Sequence, residues 1–226
     1  MRLTDDDRAR IATAIASAEQ RTSGEIFCVV ARNASTYADV SLAWAAGAAL
    51  ILPLLLLPLG LDVDWPGQGG WQAAHEAARS ATVVQALGVY ALVQAAVFVG
   101  VFLLTRIPTV LRWATPRGLR RARVRKAALQ QIFAHGVHVT RERTGVLLFA
   151  ALDEHQVELS ADEGIHTLVD EGVWAEAVAA LTAGLRADRA VEGFEKAIGL
   201  SGQVLAEHFP PRADNPNELP DHLILL

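Results

Sequence analysis

The sequence predicts an α/β domain interrupted by an inserted two-helix transmembrane hairpin, and three observations predict it. Leu42 to Leu61 carries no charged residue over 20 positions, and Ala81 to Thr105 carries none over 25. On either side of these runs, short β-branched segments alternate with stretches of helical periodicity. At about 1.5 Å rise per residue, each apolar run covers the roughly 30 Å of bilayer hydrocarbon. Leu54 to Leu57 is an unbroken leucine run between Pro53 and Pro58, and Val97 to Leu104 is apolar apart from Gly100. Core helices of soluble proteins keep a polar stripe, which these runs lack.

The first element is a helix. Thr4 stands at its cap, Asp5, Asp6 and Asp7 fill the first turn where the helix dipole favours negative charge, and Ile11, Ala14, Ile15 and Ala18 share one face. After a Thr22-Ser23-Gly24 turn, Glu25 to Ala31 (EIFCVVA) has the composition of a strand. The first part of the domain thus covers 1–41. The hairpin covers 42–105, with helices at about 42–61 and 81–105.

A basic juxtamembrane segment, 106–126, follows: Arg106, Arg112, Arg117, Arg120, Arg121, Arg123, Arg125 and Lys126 occur with no acidic residue among them. The loop from Asp62 to Ser80 has only Arg79 against Asp62, Asp64 and Glu76. Short cytoplasmic flanks collect Lys and Arg, so the loop is expected outside and both chain ends in the cytoplasm. Trp44, Trp65, Trp71 and Trp113 fall where amphipathic rings anchor helices at the headgroups. The same basic segment would also attract anionic lipid.

The second part of the domain, 119–226, opens with a helix over Leu119 to His135, in which Val124, Ala128 and Ile132 are in register. Arg143-Thr144-Gly145 then leads into Val146 to Leu152, a nearly all-apolar strand of the kind buried on both faces. Asp153-Glu154 forms a tight turn, and Gln156 to Ala161 (QVELSA) alternates as a half-exposed neighbouring strand. Trp174, Val178, Leu181 and Leu185 mark one amphipathic helix; Val191 to Phe209 marks another, ended by Pro210 and Pro211. The apolar tail His222 to Leu226 is either a short strand or a membrane-facing end.

The formal charge of −5 conceals a split, since Ala127 onward holds 6 basic and 16 acidic residues. An acidic domain argues against nucleic acid, whose phosphates demand a basic face. The single cysteine, Cys28, lies within the first strand, which excludes an intrachain disulfide and fits a reducing compartment. There is no Gly-x4-Gly-Lys loop, no GxSxG elbow, no His-Glu-x-x-His helix and no C-x5-R loop. His135, His138 and His155 stand near loops or turns and are expected on the surface. Within the apolar runs Gln85 and Gln94 are the only strongly polar side chains, giving no support to a transport path.

Taken in order, Thr22-Ser23-Gly24-Glu25-Ile26, Arg141-Glu142-Arg143-Thr144-Gly145-Val146-Leu147-Leu148 and Val157-Glu158-Leu159-Ser160-Ala161-Asp162-Glu163-Gly164-Ile165 resemble the TPM domain. That domain is named for thylakoid lumen, photosystem II assembly and ion-channel modulator proteins. The resemblance covers 1–41 and about 119–226. It extends to bacterial membrane proteins whose domain is split by a transmembrane hairpin and which end in a stretch like Asn217-Glu218-Leu219-Pro220. It implies a three-layer α/β/α sandwich with a mostly parallel sheet, located at the bacterial inner membrane as a multi-pass protein. It further implies either an assembly or maintenance module for membrane proteins or an acid-phosphatase-like hydrolase, with a divalent cation near an acidic loop.

Asp162-Glu163-Gly164 is the candidate loop, at the C-terminal end of a strand, where open α/β sheets place ligands. Glu25 is expected to lend another carboxylate, as Asp153 or Glu154 would if the turn folds over. Oxygen-only clusters suit Ca²⁺ or Mg²⁺, which need about six oxygens. A hydrolase would use such a cation to activate water. The competing reading makes Asp162 and Glu163 a helix cap and pairs Glu25 with Arg141 or Arg143. Those two arginines could also grip a phosphate by bidentate hydrogen bonds. Partners are expected to be the lipid bilayer and other membrane proteins. Gly47, Gly88 and Gly100 also permit close helix approach and so homo-oligomerisation.

Overall fold

The computed structural model describes residues 3–56, 83–136, 140–212 and 214–226. His138, Trp65, Trp71 and the predicted outer loop lie outside these residues. The chain divides into two compact units, one formed by 1–36 together with 117–226 and the other by 37–116.

The first unit is a mixed α/β domain. Helix α1 (Asp5–Glu19) starts with a capping box: Thr4 Oγ1 accepts from Asp7 N, and the Asp7 carboxylate accepts in return from Thr4 N. These bonds hold the exposed Asp7 carboxyl below its usual pKa. Ile11, Ile15 and Ala18 form the buried stripe of α1. β1 (Glu25–Ala31) follows with all seven residues buried. The domain resumes with helix α5 (Arg117–Ala134), then β2 (Gly145–Ala151) and β3 (Gln156–Ala161). Next come the short helix α6 (Glu163–His166), a 3-10 turn (Glu171–Trp174), α7 (Ala175–Arg186), α8 (Ala190–His208) and β4 (Ile224–Leu225). Trp174 thus belongs to the turn before α7 rather than to the helix itself.

The four strands lie in the order β3-β2-β1-β4. β1 pairs in parallel with β2, Glu25 opposite Gly145, and with β4, Val29 opposite Ile224. β3 is antiparallel to β2, Val146 opposite Ala161. The C-terminal tail is therefore the fourth strand of the sheet, which removes the membrane-facing alternative.

β1 and β2 are buried on both faces because helices cover both. Ile26, Cys28, Val146 and Leu148 point into a core with Ile11 and Ile15 of α1, Leu181 of α7 and Phe194 and Ile198 of α8. Phe27, Val29, Leu147 and Phe149 point the other way, against Val124 and Ala128 of α5 and Leu219. Phe27 and Phe149 are wholly inaccessible to solvent, and truncating either to Ala would cost about 3–5 kcal/mol. Burial raises the Cys28 thiol far above its ordinary range, so it is an inert core residue. Arg10 of α1 makes two bonds to Glu195 of α8, at 3.0 and 2.9 Å. Both partners are solvated, so the pair fixes alignment more than it stabilises.

The second unit is helical: α2 (Ala38–Leu56), α3 (Val83–Thr105) and α4 (Pro108–Ala114). The uncharged run begins at Leu42, whereas the helix begins a turn earlier, with Asp39 in its first turn. Ala38–Leu55 is long and apolar enough to cross a membrane. Tyr90–Thr105 and Pro108–Ala114 meet that test only together, and they are bent by 101°. The bend falls at Pro108, which cannot donate a backbone hydrogen bond and opens the next helix. Within this unit α2 packs on α3, and Trp44 Nε1 donates to Ala114 O at 2.9 Å.

Where α7 meets α8, a Cβ on Gly184 would lie 2.7 Å from the Gly193 Cα. Gly184→Ala must spread the helices and is expected to lower stability by about 1–3 kcal/mol in chemical denaturation. An unchanged midpoint would show that the crossing can relax.

Candidate functional site

Asp162, Glu163 and Glu25 all lie at the edge of the sheet where β1 and β2 begin. Because β3 runs antiparallel, its C-terminal end returns to that edge. Asp162 N donates to Gly145 O at 2.9 Å, while Glu25 N donates to Thr144 O at 3.2 Å. This placement corrects the basis on which the acidic loop is a candidate. Ligand crevices in open α/β sheets lie beyond the carboxyl ends of the parallel strands. Here the loop lies beyond their amino ends.

Asp162 caps α6, its Oδ1 accepting from Glu163 N at 2.7 Å. Its Oδ2 is buried and has no hydrogen-bond partner among the described residues. Glu163 points into solvent and pairs with Arg143. Gly164 is pressed against the preceding turn: its N–H donates to Arg143 O, and a Cβ there would collide with Glu142 O. The loop is thus a tightly packed reversal in which Glu163 is paired with Arg143 and Asp162 Oδ2 is the unpartnered carboxylate oxygen.

Glu25 is not paired with either arginine. Its side chain is buried, and Oε2 accepts from Leu219 N at 3.2 Å. Arg141 instead approaches Asp214, and its backbone N–H donates to Glu218 at 2.7 Å. With Arg143 held by Glu163, the two arginines do not form a phosphate grip. Asp153 and Glu154 lie at the other end of β2, in the turn before β3. There Glu154 is buried and its Oε1 accepts from Ala34 N at 2.9 Å.

The chain brings together a different set of carboxyls. Glu19, the last residue of α1, turns back so that Oε1 accepts from Ile26 N at 2.7 Å. Around it stand Glu25 and Asp221, and Glu218 stands near Glu25. Burial, opposed by the Ile26 N–H and reinforced by the charges of Glu25 and Asp221 and a hydrogen bond with Asp221, pushes Glu19 up to about 8. Burial likewise raises Glu25, against the N–H groups of Leu219 and Glu218 and with the charges of Glu218 and Asp221. Glu19 therefore holds a proton near neutrality, and its hydroxyl can be shared with Asp221.

The Asn217-Glu218-Leu219-Pro220 stretch serves this cluster with backbone donors, while Asn217 Nδ2 donates to Asp221. Sequence reasoning misses Glu19 and Asp221, the first as a helix end and the second as part of a loop. The available signal is a pair of carboxyls, Glu19 and Glu25, flanking the reversal into a buried strand.

Among the described residues, no three His, Cys, Asp or Glu side chains are arranged to hold a metal ion. The orphaned Asp162 Oδ2 is one free oxygen, but Glu163 is turned to Arg143 and Glu25 to Leu219. In this arrangement the three side chains are directed to separate partners rather than to one point. His155 lies in the turn before β3 with a left-handed φ of 50°.

The domain also has a groove of about 550 Å³ along β3. Arg121 and Arg125 of α5 line one wall, Val178, Thr182 and Arg186 of α7 the other, and His155 to Glu158 the floor.

No family model matches the chain, and no curated protein matches it. A solved structure does: the NMR structure of the BA42 protein from the psychrophilic bacterium Bizionia argentinensis is similar at 16% identity with a TM-score of 0.58. The match covers 100% of this chain and 97% of that one. At this identity the likeness shows the fold alone.

Two outcomes are expected. For Glu19 the folded pKa exceeds the unfolded one, so the folded state binds the extra proton; stability from this group is greatest below about pH 4.5 and falls as pH rises towards about 8. Glu19→Gln keeps an acceptor for Ile26 N and should flatten that decline in melting temperature between about pH 5 and 8. An equal slope in wild type and variant would place the proton elsewhere. For Asp162, Asn should be tolerated while Ala loses about 1 kcal/mol, with or without millimolar Ca²⁺. A calcium-dependent difference between wild type and Asn would instead make Asp162 a ligand.

Proposed function

We propose that the protein is a membrane-anchored interaction module, whose TPM-like α/β domain docks on other membrane proteins and assists their assembly or maintenance. The observation that carries this reading is the surface of α2. Only 28% of the Ala38–Leu55 span is buried, and Leu50, Ile51, Leu54 and Leu55 are exposed. A core helix of a soluble protein would be mostly covered, whereas contiguous apolar surface of this kind marks a membrane or partner interface. On α3, Leu92, Leu103 and Leu104 are similarly exposed. In this reading α2 and α3 form the inserted transmembrane hairpin, and Trp113, 91% exposed on α4, lies at the headgroup level.

The basic residues from Arg106 to Lys126 favour a cytoplasmic α/β domain, with both chain ends on that side of a bacterial inner membrane. A Cβ built on Gly47, Gly88 or Gly100 would meet no described residue within 4 Å, which leaves these positions available to a lipid, a partner helix or a second copy. The commitment of Glu163 to Arg143 and of Asp162 to the cap favours docking over the hydrolase reading, because that loop presents no pair of carboxylates to activate water.

The chain expressed in a bacterial host should sediment with membranes and resist carbonate extraction. Protease should reach the α/β domain in inverted vesicles but not in intact spheroplasts. Recovery in the soluble fraction would end the anchoring claim, and cleavage in spheroplasts would reverse the orientation.

A further inference from the structure

β3 is an edge strand, and among the described residues no strand pairs with its outer edge. The Asp162-to-Gly145 bond fixes the phase of the ladder, so Gln156, Glu158 and Ser160 direct their backbone groups to β2. Val157 and Leu159 direct theirs away from the sheet. Among the described residues no backbone hydrogen bond reaches them. Proteins protect such edges with short strands, inward charges or covering elements, because an unpaired ladder is a template for another strand. The opposite edge, β4, is only two residues long. β3 has six residues and lies at the floor of the groove between α5 and α7.

The walls of that groove are basic. Arg121, Arg125 and Arg186 line it, and His155 stands at one end. Glu158 is the one acidic residue among the lining residues, and it is approached by Arg125 at 3.9 Å, with the arginine 73% exposed. Arg121 and Arg186 have no ion-pair partner among the described residues. This excess of positive charge stands out in a domain whose sequence from Ala127 onward is strongly acidic.

We propose that the open edge of β3, between α5 and α7, accepts an acidic extended segment of a partner protein as a fifth strand of the sheet. The proposal rests on the interaction-module reading and names the docking site for it. Backbone groups of Val157 and Leu159 supply the ladder, Arg121 and Arg125 on the α5 wall select carboxylates on alternate side chains of the incoming strand, and Arg186 on the α7 wall adds to the positive field. A second copy pairing through β3 is disfavoured because it would bring the same arginines together. Anionic headgroups satisfy the arginines but cannot continue a backbone ladder.

The test uses full-length protein in detergent micelles and a synthetic octapeptide of alternating glutamate and valine. Saturable binding is expected, with slowed hydrogen exchange at the Val157 and Leu159 amides. Binding should weaken at least about tenfold in Arg121→Glu/Arg125→Glu/Arg186→Glu. It should weaken similarly for a peptide N-methylated at alternate residues, which keeps its charge and loses its ladder donors. Val157→Pro is the second variant, since proline is tolerated where the N–H faces away from the sheet; it should also abolish binding while the fold persists.

Equal affinity for the N-methylated peptide would overturn strand addition. So would binding of the arginine surface to phosphatidylserine vesicles with no binding of the peptide, or a dimer lost in Val157→Pro. The assay does not depend on the chain residing in a membrane, so its failure beside normal membrane retention would remove the groove and leave the module reading standing.

Discussion

The parallel pairing of β1 with β2 is the contact on which the rest of the architecture depends. Two seven-residue strands, buried along their whole length, must satisfy every backbone polar group with each other or with a neighbouring strand. Their in-register pairing from Glu25–Gly145 to Ala31–Ala151 supplies the inner ladder. Burial on both faces then requires apolar cover on both sides, which α1, α7 and α8 provide on one and α5 on the other. A parallel pair cannot be joined by a tight turn, and here the connection contains an entire helical unit. The outer side of β1 is closed by the last residues of the chain, and that of β2 by β3.

The same pairing sets the chemistry at the strand origins. Bringing Glu25 beside Gly145 draws in the end of α1 and the C-terminal segment, so Glu19, Glu25 and Asp221 converge, and among the described residues no cationic side chain contributes to the environment of either glutamate. A retained proton relieves the repulsion at Glu19. Carboxyls elsewhere are accommodated differently: Glu154 by a backbone donor, Glu163 by Arg143, Asp162 by its own helix. Each solution is local, and none leaves a pair of ionised carboxylates facing a cleft.

Much of this is legible in the chain. The bounds of β1 and β3 follow from composition, because EIFCVVA and QVELSA are bracketed by turn residues. The Thr4 cap and the proline stop after α8 are equally local signals. β4 escapes such reading, because two residues carry no periodicity and its pairing with Val29 and Val30 is a tertiary event. The direction of β3 is implicit in the tight Asp153-Glu154 turn, and the ligand rule for parallel strands does not extend to the end of a strand so reversed. Pattern marks Glu19 only as a carboxyl flanking the reversal into β1, since its proton affinity comes from burial, from Glu25 and from Asp221, about 200 residues away.

The discontinuity of the α/β domain also governs how it can be made. β1 leaves the ribosome about 120 residues before the strand that covers it. At 5–20 residues per second that interval is roughly 6–24 s. During it an apolar strand has only the narrow stripe of α1 for shelter, while α2 and α3 are synthesised. The helical unit is thus complete before the domain that it interrupts. A substitution that delays α2 or α3 would be felt as misfolding of a domain to which it does not belong.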